Sequence, residues 1–270
     1  MEGIKKSGEI TQEARDRGAQ VIQFMLNDSR HLGVQQTLAV ATEAFRRASN
    51  GDEIIQHYRE QFGLHVQLLS PQAEALLGFN TAYAYADDKM RSGLVAWDCG
   101  AGSFQLTSRT QHHADCHGSG TIKPRGLKRS DEHGRISADG VRDLLRELRD
   151  VLAPIPQWAR QPTNQYVAIG SNTSIFNQMR RLSGLQTFAP SDVESALVGV
   201  TGLSHDEIWA LEKGLDANVE RDNAPYVVAK LSLLLTVMQQ CDMDRVQFHI
   251  TQGNCTGLLL DPSAWNYSKN

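Results

Sequence analysis

The chain has 270 residues, 40% hydrophobic and 21% charged, which suits one large or two modest folded domains and excludes a disordered chain. A net charge of −4 provides no general field to attract nucleic acid, and no apolar run approaches the ~18 residues of a membrane span. The opening MEGIKKSGEITQEARDRG lacks the apolar centre of a signal peptide, and the four cysteines are widely spaced, so a cytoplasmic protein without disulfides is expected.

Short apolar runs alternate with helical spacing, the pattern of an α/β fold. Ile10, Ala14, Val21, Ile22, Met25 and Leu26 form a partial stripe that predicts a helix over 9–26. A buried strand is expected at 37–41, then a helix through Phe45 and Ala48 and another through Ile54, Ile55 and Tyr58 that ends near Gly63. Residues 66–69 read as a strand, and Pro71 opens a short helix over 71–77 at the position where proline is tolerated. The polar stretch 84–93 marks a boundary between a domain at 1–83 and a domain at 84–270. A strand at 94–97, a Gly/Ser turn and a returning strand at 104–107 make a hairpin, while 117–136, rich in glycine and basic residues, reads as a linker. Ser137 caps a helix in which Val141, Leu144, Leu145, Leu148 and Leu152 recur at helical spacing, and Pro154 and Pro156 end it. A strand at 166–169 runs into a small polar loop and a further helix; at least one helix lies in 191–214, a strongly apolar one at 227–238, and a last strand at 246–250.

Four segments carry candidate chemistry. WDCGAGS, from Trp97 to Ser103, follows an apolar strand; its glycines turn the backbone so that N–H groups form an anion nest, and Asp98 suits a metal. A structural turn with a capping Asp accounts for the same residues equally well. AIGSNTS, from Ala168 to Ser174, is a second strand–loop–helix junction able to cradle phosphate, and ordinary capping by Ser171 or Thr173 is its plainer reading. VATEAFRRASNG places Thr42, Arg46, Arg47 and Asn50 after a strand, where arginine forks suit phosphate oxygens and a solvated basic face is the alternative. In SPQAEALLGF, Glu74 sits among Ala and Leu, as a general base or as a helix-surface glutamate. His112, His113, Cys116 and His117 offer metal-type donors, but no second Cys/His pair has finger-like spacing, so the run reads as a polar surface strand or loop.

Read in order, TxAxRxAxN, the segment around Glu74, DxGxGS and GxxxT resemble the exopolyphosphatase and guanosine-pentaphosphate phosphatase family. The resemblance spans essentially the whole chain, from GEITQEARDRG to FHITQGNCTGLLL. It implies an α/β fold of two ribonuclease-H-like lobes, as in the actin, Hsp70 and sugar-kinase superfamily, with the first lobe incomplete at its N-terminus. It further implies Mg²⁺-dependent hydrolysis of terminal phosphoanhydrides, with inorganic polyphosphate or guanosine pentaphosphate as substrate and no nucleic acid or membrane partner. Glu74 matches the base that activates water, and Asp98 the metal-binding acid. Thr42, Arg46 and Asn50 match the first phosphate-facing segment; Gly100, Gly102 and Ser103 match the second, and Gly170, Thr173 and Ser174 the third. Members of the family often dimerise, so a homodimer enters as an expectation.

The departures from the pattern are specific. The family's opening D-x-G-S-N-S strand-loop does not occur, which implies a lobe that lacks its first strands or a longer natural chain. Ala101 replaces the central glycine of the turn, Phe104 a Thr/Ser, Gln105 an acid, and Cys255 falls near a usual arginine. Phosphoryl transfer depends on positioning and charge neutralisation, so these changes set a second expectation beside the enzyme. That alternative is a catalytically impaired relative that binds polyphosphate or nucleotide in a regulatory role.

Overall fold

The computed structural model describes residues 8–265, which form two compact units. Residues 8–74 with 263–265 make the first unit, and Ala75–Pro262 the second. No helix among the described residues is long and apolar enough to cross a membrane.

The first unit begins with α1 (Gln12–His31), which Thr11 caps by accepting from the Ala14 N–H. It outruns the expected end near residue 26, where Ser29 donates to the Met25 carbonyl and Arg30 to Asn27 Oδ1, and none of its residues is fully buried. Next come β1 (Leu38–Ala41), α2 (Glu43–Arg47), α3 (Gly51–Phe62) and β2 (His65–Leu68). Strands β1 and β2 pair in parallel, with Ala41 opposite Leu68. The amphipathic spacing of α3 places Ile54, Ile55 and Tyr58 against Ala41 and Val66, which is the whole apolar core of this unit together with Leu64 and partly buried neighbours. Gly63 ends α3 in the left-handed conformation.

Helix α4 (Pro71–Tyr85) is twice the length expected from the sequence. Gly78, Asn80 and Thr81 are poor helix formers, but Phe79 and Ala82 are buried in an apolar cluster and Thr81 donates to the Leu77 carbonyl. Packing overrides propensity here. The two units divide at Glu74, inside this helix, whereas the polar stretch at 84–93 holds only the short α5 (Asp88–Arg91).

The second unit is built on β3 (Leu94–Cys99), β4 (Phe104–Thr107), β5 (His112–Asp115), β6 (Gln165–Gly170), β7 (Thr187–Phe188) and β8 (Val246–Ile250). Their order is β5-β4-β3-β6-β8-β7, parallel across β3, β6 and β8 and antiparallel elsewhere. Central strand β3 is apolar almost throughout, as a strand covered on both faces must be. Its Trp97 meets Phe176 edge to face at 4.9 Å in a core that also holds Phe104, Phe188 and Phe248. Helices α6 (Lys123–Leu127), α7 (Ala138–Val151), α8 (Ile175–Ser183), α9 (Pro190–Val200), α10 (His205–Leu215), α11 (Val227–Gln240) and α12 (Cys255–Leu259) complete the unit. Ser137 caps α7 as its sequence predicts, and α11 is buried from Val227 through Met238.

The stretch 117–136 is not a loose linker. Ile122 and Ile136 are core residues, Gly126 is buried in α6, and a β-bridge joins Ser130 to Ile136. Its glycines permit close backbone approach rather than freedom.

Candidate active site

In the first unit, the C-terminal ends of β1 and β2 carry the candidate residues. Ser70 caps α4 by accepting from the Ala73 N–H at 3.1 Å, which places Glu74 in the first helical turn. Across from it, α2 presents Arg46, whose guanidinium donates to the Leu69 carbonyl at 2.7 Å and to Glu74 Oε2 at 2.8 Å. Both side chains are about four-fifths buried, at 20% and 18% exposure, so this pair is neither a loose surface contact nor a fully desolvated one. Residues 28 positions apart, each with a plain surface reading, are thus brought together. Thr42 precedes α2 with its carbonyl accepting from Phe45 and Arg46, and its hydroxyl makes no capping bond. Asn50 lies differently: its amide donates to the Ile10 carbonyl and accepts from the Ile10 N–H, both at 2.9 Å. It ties the N-terminal segment to the α2–α3 turn.

In the second unit, the candidates gather at the C-terminal ends of parallel strands β3, β6 and β8, where ligands bind in α/β sheets. Asp98 is half-buried and stands opposite Gln105 on β4 and beside Ile169 on β6. Cross-strand partners put their side chains on one face, so the Asp98 carboxylate and the Gln105 amide share it. The Gly100–Ser103 turn is closed by the Gly100 N–H on the Ser103 carbonyl at 3.0 Å. A second loop braces it: Ser119 N–H and hydroxyl both reach the Gly100 carbonyl, while Gly120 and Thr121 N–H groups reach the Ala101 carbonyl. Gly118 makes this approach possible, since a Cβ there would lie 2.4 Å from Ser103 N and 2.5 Å from the Gly100 carbonyl. Only the repeated glycine in His117–Thr121 hints at this bracing in the sequence. Cys99, buried at the root of the turn, has its thiol pushed up to about 12, chiefly by desolvation, and is inert.

The third segment also folds back on itself. Gly170 ends β6 with Ser174 so close that a Cβ would lie 2.7 Å from its Cβ. Ser174 is buried and caps α8 by accepting from the Asn177 N–H at 3.2 Å, whereas Ser171 and Thr173 are exposed with their hydroxyls 3.1 Å apart. Beneath this loop lies a buried charged cluster that sequence spacing does not reveal. Arg181 donates to the Asn172 carbonyl and to Glu212, Gln178 also donates to Glu212, and Asn177 donates to the same Asn172 carbonyl. Lys230 is 6% exposed nearby; burial pushes its ammonium pKa down, and Glu212 partly offsets that. Thr251, also missed, donates its N–H to the Gly170 carbonyl at 2.9 Å, and its buried hydroxyl has no partner among the described residues.

Two compact α/β units, with polar turns at the ends of parallel strands and one Gly-rich hairpin, have counterparts in solved structures. A Ppx/GppA family member from Aquifex aeolicus superposes with a TM-score of 0.76 over 98% of this chain and 87% of its own, at 17% identity. An exopolyphosphatase from Cytophaga hutchinsonii gives 0.70 over 98% and 86%, also at 17% identity. The chain therefore shares the fold of these structures. Among curated sequences, Exopolyphosphatase 1 of Mycobacterium leprae is 24% identical over 240 residues, 85% of this chain and 69% of the relative. Its namesake in Mycobacterium tuberculosis is 22% identical over 260 residues, 91% of this chain and 73% of the relative. The Ppx/GppA phosphatase family description matches residues 1–129, which include the Arg46, Glu74 and Asp98 segments. Over those residues the chain is similar to the Ppx/GppA phosphatase family.

Proposed function

We propose that this protein is a phosphohydrolase that releases terminal phosphate from inorganic polyphosphate or guanosine pentaphosphate. The observation that carries the reading is the Arg46–Glu74 pair, because a base for water and a cation for phosphate stand 2.8 Å apart on a capped helix end. In this reading Glu74 takes the proton from the attacking water, and Arg46 both orients that carboxylate and draws a phosphate oxygen. Within the second unit, the backbone of the Gly100–Ser103 turn and the exposed Ser171 and Thr173 hydroxyls are donors of a kind that binds phosphate oxygens. Asn50 acts by holding the α2–α3 turn rather than by touching phosphate, since both ends of its amide engage Ile10.

Asp98 and Gln105 fit Mg²⁺ as a donor set: one carboxylate and one amide oxygen on the same face are hard oxygen ligands of the kind Mg²⁺ accepts beside substrate phosphates. Bound there, the ion would neutralise charge on the leaving phosphate. The amide supplies no charge of its own, which predicts weaker metal binding than two carboxylates would give. Phosphate release from both substrates, with and without Mg²⁺, tests the reading. Turnover that needs Mg²⁺ and Glu74 supports it. A polyphosphate chain bound without turnover would favour a binding or regulatory protein instead.

A further inference from the structure

The histidine-rich run at the far edge of the sheet does not assemble as its spacing suggests, and a different set of donors comes together. His112 and His113 lie on β5 with their Nε2 atoms buried and without hydrogen-bond partners among the described residues. At the end of β5 the chain turns sharply. There the Asp115 carboxylate, Cys116 Sγ and His117 Nδ1 lie within 4.8 Å of one another. We infer that Asp115, Cys116 and His117 form a binding site for a borderline transition metal of the Zn²⁺ or Co²⁺ type, separate from any Mg²⁺ chemistry at Asp98.

Three features of the turn support the assignment. First, the donor set is selective: thiolate and imidazole suit Zn²⁺ and Co²⁺ and are poor ligands for Mg²⁺, while the carboxylate supplies charge. Second, the carboxylate is already held. Asp115 is 4% exposed, its Oδ2 accepts from the Ala153 N–H at 2.6 Å, and its Oδ1 accepts from the His117 N–H at 2.8 Å. Such supporting bonds fix a ligand's orientation before metal arrives. Third, the separations are close to those a tetrahedral ion needs. His117 Nδ1 is 2.6 Å from Asp115 Oδ1 and 3.9 Å from Cys116 Sγ. Ligand bonds of ~2.0–2.3 Å place tetrahedral donors ~3.3–3.7 Å apart, so a small rotation of the His117 ring opens the space. The ion then takes the place of the Nδ1–Oδ1 hydrogen bond, the thiol loses its proton to solvent, and the exposed side of Cys116 leaves room for water as fourth ligand. Thr121 ties down the backbone on either side, accepting from the Gly118 N–H and donating to the Cys116 carbonyl, so the donors sit on an ordered turn.

The test is a Co²⁺ titration of the full chain under reducing conditions, followed by absorbance. One equivalent should bind with a thiolate-to-cobalt charge-transfer band, and Zn²⁺ should displace it with loss of colour. Cys116→Ser should abolish the band, and His117→Ala should weaken binding at least ten-fold; both positions are exposed or half-buried, and far-ultraviolet circular dichroism confirms the fold. The other exposed thiol is the control, so Cys255→Ser should leave binding and band unchanged. Absence of stoichiometric Co²⁺ binding by the parent chain overturns the assignment, as does a band that survives Cys116→Ser or vanishes with Cys255→Ser.

Discussion

At the scale of single residues, Glu74 and Gln105 make opposite tests of the proposed chemistry. Glu74→Gln keeps the size and most of the hydrogen-bonding capacity of the side chain but cannot take a proton from water. Phosphate release should fall ~10²–10⁴-fold while polyphosphate binding persists. Full turnover in that variant would remove Glu74 from the mechanism. Gln105→Glu places a second carboxylate opposite Asp98, so the concentration of Mg²⁺ needed for half-maximal activity should fall. An unchanged Mg²⁺ requirement would show that this face does not hold the ion. The sequence pointed to Glu74 and Arg46 through the order of motifs, but not to their ion pair, because no spacing rule links side chains 28 positions apart in two different helices. Asn50 shows the reverse case: its position matches a motif, yet tertiary contacts engage its amide with Ile10.

Among the elements, the braced hairpin and the edge strand behave as parts with their own physics. Gly118→Ala drives a Cβ into the backbone of both Gly100 and Ser103, atoms that cannot yield as a flexible side chain would. Overpacking of this kind costs ~1–3 kcal/mol, and thermal unfolding should report it as a lower midpoint with weaker phosphate binding. Strand β5 carries a pH dependence. Burial lowers the pKa of His112 and His113 from 6.5, so the unfolded chain binds protons more readily than the folded one. That contribution is fully present above pH 6.5 and is lost as pH falls toward the depressed folded values. Urea midpoints should decline between neutral pH and the region below 6.5, and His113→Phe, which keeps the contact with Phe104, should flatten the decline. A midpoint with the same slope in both proteins would contradict it. Here the sequence was informative about strand positions and misleading about 117–136, which reads as a linker, because glycine-rich composition looks alike whether it serves flexibility or close approach.

For the molecule as a whole, stability rests on the second unit, where one apolar cluster runs from Val95 to Phe248 around α11. The exception inside it is ionic. Glu212 is wholly buried, with Arg181 at 3.2 Å and Lys230 close by, so Glu212→Gln would leave two cations without their carboxylate. Breaking a buried pair from one side costs ~3–5 kcal/mol, and denaturant unfolding should show a loss of that order. A change below ~1 kcal/mol would mean that the cluster relaxes without it.

The sequence by itself determined the α/β class, the cap and periodicity of α7, the apolar run of α11, and strands β3, β4, β6 and β8 of the sheet, because apolar repeat and capping are local signals. It also carried the resemblance to the Ppx/GppA family, through the order of four polar motifs. Tertiary structure alone decided the length of α4, the Arg46–Glu74 pair, the bracing of the Gly100–Ser103 turn and the Glu212 cluster. Each of these joins residues distant along the chain, and such contacts exist only once burial has brought their elements together and made an unmatched polar group costly.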